Sequence, residues 1–187
     1  MRKIFIVSLI FFLCACSIRV PQNPNYVNII KPYNLLDKNA VVYIIYPKAF
    51  VEDQGKQTDS SWKVGEKILA EFKKNSITVL ASKDSITLED GFDLATSSNA
   101  TYLITSSITK WEDRVPGNIL DRLDIGEIII STYDVRTREL LQQSIIGGRG
   151  SSVTINFIPI GTHGPEDCLT DGLASWISIL YGDAKNL

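Results

Sequence analysis

The sequence has few of the residues that most often build metal and redox sites. It contains one histidine, His163, and three cysteines among 187 residues. A multi-histidine metal site within one chain is therefore excluded, and a zinc site would need carboxylates and Cys168 as further ligands, with no spacing that suggests such a set. The sequence predicts neither a metal nor another cofactor.

An excess of basic residues is also missing. The chain has 19 Lys and Arg against 21 Asp and Glu. If Arg2 and Lys3 leave with a signal peptide, 17 basic and 21 acidic residues remain, which is a formal charge of minus 4. This balance argues against a nucleic-acid partner and against polybasic contact with anionic lipid.

No hydrophobic run is long enough to cross a bilayer as a helix. The apolar run from Ile4 to Leu13 is short, whereas about 20 residues are needed to span the hydrocarbon core. Because Arg2 and Lys3 precede it, the pattern predicts a cleaved signal peptide over residues 1–15.

The four residues LCAC that close this run resemble the bacterial lipobox, in which a leucine and two small residues precede a cysteine. The resemblance implies that the thiol of Cys16 is diacylated before cleavage. The alternative is an ordinary Cys16 behind a secretory signal. If Cys14 leaves with the signal and Cys16 is acylated, only Cys168 stays free, so no intramolecular disulfide is expected.

Lipidation predicts where the protein resides. Several acyl chains hold a protein stably at a membrane, because each buried CH2 contributes about 0.8 kcal/mol. Ser17 follows the modified cysteine at the position where an aspartate would, by the usual bacterial sorting rule, retain the protein in the inner membrane. We therefore expect an outer-membrane lipoprotein that faces the periplasm and contacts the membrane through its N-terminal lipid.

Composition divides the mature chain into a leader and a domain. Three prolines among Asn, Gln and Lys residues predict a lipidated N-terminus and flexible tether over 16–39. The length suits one globular domain, which we expect over 40–182, followed by a C-terminal tail at 183–187.

The domain is predicted to open with a parallel βαβ unit. The run AVVYIIYP, residues 40–47, is a continuous β-branched and aromatic stretch typical of a central strand buried on both faces. A helix follows, capped by Asp59 or Ser60, with Gly65 allowing close approach, and the run ITVLAS then returns as a strand. The predicted buried stripe of this helix consists of Trp62, Ile68, Leu69 and Phe72.

A second helix is predicted from Leu88 to Ser98, with Thr87 as its cap and Leu88, Phe92 and Ala95 on its buried side. Next come the strand TYLITSSITKW and two β-rich runs, Leu123 to Tyr133 and Glu139 to Ile146, which flank a hairpin loop, DVRTR. The run SSVTINF predicts a short edge strand.

A last helix is predicted to begin with Pro165 at its first position and to end near Tyr181. The expected order is βαβαβββα, which defines an α/β (α+β) fold. It comprises a single domain with a mixed sheet of about five strands and three helices that cover at least one face. The residues that keep the helical period at the C-terminus are Leu169, Leu173, Trp176, Ile177 and Leu180.

The segments YLITSSITKWEDR, DRLDIGEIIISTYDV, GTHGPEDCLTDGL and ISILYG resemble a family of bacterial lipoproteins catalogued as domain of unknown function 4823. The resemblance covers residues 40–182 and is most specific from Thr101 onward. Gly164 is an insertion in one motif, and Arg138 replaces the family's usual glycine after Thr137 in the hairpin. The residues that match the family's motifs are Trp111, Glu112, Asp113, Arg114, Asp121, Arg122, His163, Pro165 and Asp167.

In element order the chain is also similar to the N-terminal domain of the Tol-system propeller protein. It resembles, too, periplasmic lipoproteins of the curli secretion channel and of transporter auxiliary complexes. These are assembly proteins, so the resemblance implies a structural or interaction role and not catalysis, although fold similarity alone does not assign a function.

Charged residues gather at the end of the strand TYLITSSITKW and in the loop after it. Paired carboxylates there could serve acid/base chemistry, and a ligand or partner contact is a second interpretation. The favoured interpretation is a charge ladder, in which Arg114 or Arg122 bridges carboxylates across strands and Trp111 packs beneath the terminal helix. The residues concerned are Trp111, Glu112, Asp113, Arg114, Asp121 and Arg122.

The segment GTHGPED permits two interpretations. His163 near Asp167 could form an oriented base, although no motif places a nucleophile beside it. The favoured interpretation is a helix-entry loop in which His163 or Thr162 caps the last helix. Cys168, one turn into that helix, is expected to be a small buried residue. The glycines of IIGGRGSS match no phosphate-binding motif and indicate a bulged strand end.

Two functions stay open. The favoured one is a non-enzymatic outer-membrane lipoprotein with a structural or protein-interaction role in the cell envelope, whose sheet edge or apolar helix face docks other envelope proteins or its own copies. The alternative is a periplasmic module that binds or hydrolyses a small molecule or cell-wall fragment at Asp113, Arg114 and His163. A closed cleft at those three residues would favour the alternative.

Overall fold

A computed structural model of the chain describes residues 26–31, 36–51, 59–76, 78–113, 124–150, 153–155, 158–160 and 164–183. Within these ranges the elements are, in chain order, β1 (Tyr26–Lys31), β2 (Val41–Ile45), α1 (Ser60–Asn75), β3 (Thr78–Ser82), α2 (Leu88–Ser97), β4 (Tyr102–Glu112), β5 (Ile125–Asp134), β6 (Leu140–Arg149), β7 (Val153–Ile155), β8 (Ile158–Ile160), a 3-10 helix (Asp167–Leu169) and α3 (Thr170–Leu180).

The main sheet has six strands in the order β1-β6-β5-β4-β2-β3. β2 pairs in parallel with both β3 and β4, and the remaining pairs are antiparallel. The predicted single α+β domain with a mixed sheet and three helices is therefore confirmed. The main sheet has six strands and not about five, because β1 joins it. The predicted strand in SSVTINF is present as β7, but it pairs with β8 in a separate two-stranded sheet.

β1 lies inside the region that the sequence assigns to the tether. It pairs antiparallel with β6, and a Cβ at Gly147 would lie 2.6 Å from the hydroxyl oxygen of Tyr26, so glycine leaves the room that this ring needs. Tyr26 donates a hydrogen bond to Glu127. Burial raises the pKa of the Glu127 carboxyl, but hydrogen bonds from Tyr26, Thr109 and Lys110 outweigh burial and hold this pKa below its usual value.

The helices lie on both faces of the sheet. α1 and α3 share one hydrophobic cluster with Val42 and Ile44, whereas α2 shares another cluster with Tyr43 and Ile45. Successive residues of β2 are thus buried on opposite faces, as predicted for this strand. Because the β2–α1–β3 and β3–α2–β4 connections cross opposite faces, the order of the strands reverses at β2.

The buried stripe predicted for α1 is correct except at Trp62, which is 50% exposed. Seven residues make nearly two turns, so Trp62 and Leu69 lie on the same side of α1, at the margin of the buried stripe. Its ring packs edge-on against Tyr46, and the Lys83 ammonium lies 4.4 Å above the ring centroid. The close approach expected at Gly65 is confirmed, because a Cβ there would lie 2.2 Å from the Tyr46 ring.

α1 begins at the predicted position, but its cap differs. Asp59 occupies the N-cap position without a side-chain capping bond, and Ser60 Oγ instead accepts a hydrogen bond from the Phe50 N–H at 2.7 Å. The start predicted for α3 is wrong. A turn and the 3-10 helix follow Pro165, and α3 begins only at Thr170.

α2 begins after Thr87 as predicted, and Thr87 Oγ1 accepts a hydrogen bond from the Asp90 N–H at 3.1 Å. Phe92 and Ala95 are buried, but Leu88 is 43% exposed, because it occupies the first position of the helix. In the C-terminal helical segment the predicted period is confirmed. Its buried residues include Leu169, Leu173, Trp176, Ile177 and Leu180.

The hairpin between β5 and β6 is confirmed, and Arg138 occupies the turn position at which the sequence resemblance implies a glycine. Arg138 adopts a φ of 58°, in the left-handed region that glycine favours. Its guanidinium donates to Glu89 and Asp93 of α2 and lies 5.2 Å from the centroid of the Phe92 ring. The strained backbone is thus tied to α2. Within the described residues, none of the helices is long and apolar enough to cross a bilayer.

Candidate functional site

Trp111 is part of the buried packing at one end of the sheet. It is 4% exposed, lies opposite Gly126 across β4 and β5, and belongs to the cluster that includes α3. A Cβ at Gly126 would lie 2.2 Å from the carbonyl oxygen of Pro165. The entry to α3 at Pro165 therefore packs directly over this strand pair.

The other members of the charged cluster are only partly described. Asp113 follows β4 directly and is exposed. Arg114, Asp121, Arg122 and His163 lie outside the described residues. Their role as a charge ladder, as a ligand contact or as acid/base groups therefore stays a prediction.

At the entry to α3, side chains are engaged in structural contacts. Asp167 accepts a hydrogen bond from Lys67 Nζ at 2.7 Å. The thiol of Cys168 is buried and donates to the Asp124 carbonyl oxygen at 3.5 Å, and burial, reinforced by Asp124, raises its pKa to about 11. A thiol with this pKa is protonated at neutral pH and is a poor nucleophile. In the described ranges, no three His, Cys, Asp or Glu side chains come together to hold a metal ion.

A cleft of about 550 Å³ opens at the carboxyl end of β2. The pairing between β2 and β4 ends at Ile44 opposite Ile104. Beyond that point the chain stays with β3, since the Tyr46 N–H donates to the Ser82 carbonyl oxygen at 3.2 Å. β4 continues, and of the strands that the structure describes only β5 pairs with it there. One edge of β4 therefore forms a wall of the cleft.

Three segments line the cleft: 45–51, which runs from the last residue of β2 into the loop after it, the loop before α2 together with its first residue Leu88, and 105–108 of β4. The segment after β2 is fixed to the start of α1. Ser60 Oγ accepts from the Phe50 N–H at 2.7 Å, and Ser61 Oγ donates to the Pro47 carbonyl oxygen at 2.6 Å. Since both bonds hold the segment after β2 in place, this side of the cleft is formed before anything binds.

The lining combines apolar side chains with a few polar groups. Val51 and Leu88 are 52% and 43% exposed at the rim. Ser106 Oγ is buried and has no hydrogen-bond partner among the described residues, and an unpaired buried hydroxyl costs about 1–3 kcal/mol. Lys48 is the only charged residue of the described lining.

The sequence does not predict this cleft, because its predicted site rests on converging charged side chains, whereas Lys48 is the single charged residue of the described lining. The signal that could have found it is topological. In open α/β sheets, ligands bind outside the carboxyl ends of the strands, at the position where the strand order reverses. That position is the end of the run AVVYIIYP.

Comparisons with known proteins agree with this fold. The model of the family DUF4823, a domain of unknown function, matches residues 34–180. PelC from Paraburkholderia phytofirmans, solved as a dodecamer, is similar with a TM-score of 0.63 and 13% identity over 84% of this chain and 97% of that chain. Protein XCC0632 from Xanthomonas campestris, of the family DUF330, has a TM-score of 0.50 and 9% identity over 82% and 92% of the two chains. At these identities the likeness concerns the fold alone. No curated protein sequence matches the chain.

Proposed function

We propose that this chain, which belongs to the DUF4823 family, is an outer-membrane lipoprotein that acts by associating with other protein chains in the cell envelope and not as an enzyme. In this proposal residues 1–15 are the signal peptide, Cys16 carries the lipid and the domain faces the periplasm. Association with further copies of the same chain is the first form of binding that we propose.

The observation that carries the proposal is the outer edge of β1. β1 is the last strand on its side of the main sheet, so among the described strands none pairs with its outer backbone groups. Three of its side chains are exposed and apolar or aromatic: Tyr26 at 42%, Ile29 at 39% and Ile30 at 51%. An edge strand with exposed apolar side chains is a template for pairing with another chain.

The sequence keeps this edge close to the membrane. β1 begins at Tyr26, ten positions after the proposed lipidation site Cys16. Ten fully extended residues span at most about 35 Å. The edge of β1 is therefore held within that distance of the membrane, where copies anchored in the same leaflet meet.

Two further observations support the proposal. PelC, which has a similar fold, forms a dodecamer, so this fold is compatible with self-association. Of the predicted site residues, Trp111 is buried in the packing of the domain, and Cys168, next to Asp167, is a buried thiol that is protonated at neutral pH. Both residues therefore contribute to the fold and do not present reactive groups.

Replacing Ile30 with lysine is expected to weaken self-association. Pairing with another strand would remove water from the lysine ammonium, so a lysine at this position opposes pairing. Native sheets protect their edges with lysine in this way. We expect chemical cross-linking of the lipoprotein in isolated outer membranes to give about tenfold less oligomer, which corresponds to about 1.4 kcal/mol. Leu94→Lys is the matched control, because Leu94 is 41% exposed on α2 and not on β1. Equal oligomer in wild type and Ile30→Lys would contradict the proposal.

Replacing Cys16 with serine is expected to change the location of the protein. Without the thiol the acyl chains cannot be attached, and their contribution of about 0.8 kcal/mol per buried CH2 is lost. Fractionation of cells should then find the variant in the soluble periplasm or as an unprocessed precursor. If Cys16→Ser is processed normally and still co-fractionates with outer membranes, the anchor lies elsewhere.

A further inference from the structure

We propose that the cleft at the carboxyl end of β2 binds an extended peptide segment of a partner protein, which pairs with the edge of β4 that no described strand covers beyond Ile104. This inference rests on the proposed function, because it names a second binding surface and the chemistry of its partner. The occupant is a segment in β conformation, with alternating apolar side chains and an acidic group near Lys48.

The backbone of β4 favours an extended peptide over a compact ligand. β2 leaves β4 after Ile44, whereas β4 runs on through 105–108, where β5 covers only its other edge among the described strands. An open strand edge presents alternating N–H and C=O groups, and an extended peptide presents the complementary series. Four residues of strand offer about 13 Å of edge, which suits a short segment.

The side chains of the cleft define what such a segment should carry. Successive side chains of a strand point to opposite faces of the sheet. Ser106 and Ile108 therefore lie on one face of β4, and Thr105 and Ser107 lie on the other. Val51 and Leu88 are exposed at the rim and gain contacts when an aliphatic side chain covers them. A backbone or side-chain group of the segment can supply the partner that Ser106 Oγ lacks among the described residues.

Charge selects the segment further. Lys48 is exposed, and the described lining contains no carboxylate. A segment with an aspartate or glutamate at that end is therefore attracted, and a segment with a lysine there is repelled. Because Ser60 and Ser61 fix the wall in advance, binding does not have to order the loop first.

The test uses the full lipidated protein in lipid nanodiscs and a library of random eight-residue peptides displayed on phage. Selection on wild type is followed by removal of the peptides that also bind Ser107→Trp, in which an indole fills the cleft from an exposed position of β4. We expect enriched peptides that alternate apolar and polar residues and carry an acidic group. Their affinity should fall at least tenfold for Ser107→Trp and about threefold for Lys48→Glu, and should not change for Leu94→Trp, which is on α2 away from the cleft.

N-methylation of the enriched peptides tests the pairing itself. In a bound peptide, alternate amide N–H groups point toward β4 and the remaining ones point away from it. Peptides methylated at the amides that point toward β4 should therefore lose binding by more than tenfold, and peptides methylated at the other amides should keep it. If no peptide prefers wild type over Ser107→Trp, or if both methylated series bind equally, the inference is overturned. Cross-linking of Ile30→Lys in membranes tests the proposed function separately. If Ile30→Lys loses oligomer while no peptide prefers wild type over Ser107→Trp, the proposed function stands and the cleft inference alone fails.

Discussion

Replacing Trp176 with alanine is expected to lower the free energy of unfolding by about 3–5 kcal/mol. Trp176 is fully buried in α3, and its ring packs edge-on against Phe72 with the centroids 5.8 Å apart. The indole N–H also donates to Gln142 Oε1 at 3.0 Å. The substitution thus removes a large aromatic contact between two helices and leaves a buried amide oxygen without its donor.

Thermal unfolding followed by circular dichroism measures this effect. For a chain of this size, 3–5 kcal/mol corresponds to a decrease in Tm of roughly 6–20 °C. Trp176→Phe separates the two contributions, because it keeps an aromatic ring but not the donor to Gln142, and an unpaired buried acceptor alone costs about 1–3 kcal/mol. Trp62→Ala is the control, since Trp62 is half exposed. A Tm of Trp176→Ala equal to that of Trp62→Ala would show that α3 is not part of the core.

The elements that were predicted correctly have their whole signal in local sequence. β2 is recognisable because a continuous apolar run fits a strand buried on both faces, and it is buried there by α1 and α2. α2 follows a threonine cap, and the buried residues of α3 repeat every three or four positions. In each case the residues that decide the structure lie within one short segment.

β1 was missed because its partner lies far away in the chain. YVNIIK is short and stands between prolines, so its local pattern also suits a tether. What makes it a strand is pairing with β6, in which Tyr26 faces Gly147 and reaches Glu127. The bulge predicted at the glycines of IIGGRGSS is wrong for Gly147 and Gly148, which pair in regular register within β6, and Gly147 provides the room for that tyrosine.

The margins of helices and the cleft were missed for a related reason. Helical spacing places Trp62 and Leu88 near the buried stripes but does not say how far the sheet extends beneath them, and both are at least 43% exposed. The cleft depends on where β2 and β4 part, after Ile44 and Ile104. Strand separation is a property of the sheet as a whole and leaves no residue pattern of its own.

Replacing Trp111 with alanine is expected to lower the free energy of unfolding by about 3–5 kcal/mol, because a buried aromatic side chain is removed. Trp111 is 4% exposed at the end of β4, in the cluster that also contains α3. Asp113→Asn, two positions further on at an exposed site, should change stability by no more than about 0.5 kcal/mol. Urea unfolding of the two variants beside wild type measures both values.

The pair of variants decides between a structural and a chemical role for this strand end. If Trp111 serves the fold, the loss of envelope function in Trp111→Ala should follow the loss of folded protein, and Asp113→Asn should behave as wild type in cells. A Trp111→Ala protein that unfolds together with wild type, or an Asp113→Asn protein that is stable but inactive, would mean that the strand end contacts a ligand. The buried position opposite Gly126, under the entry to α3, supports the first outcome.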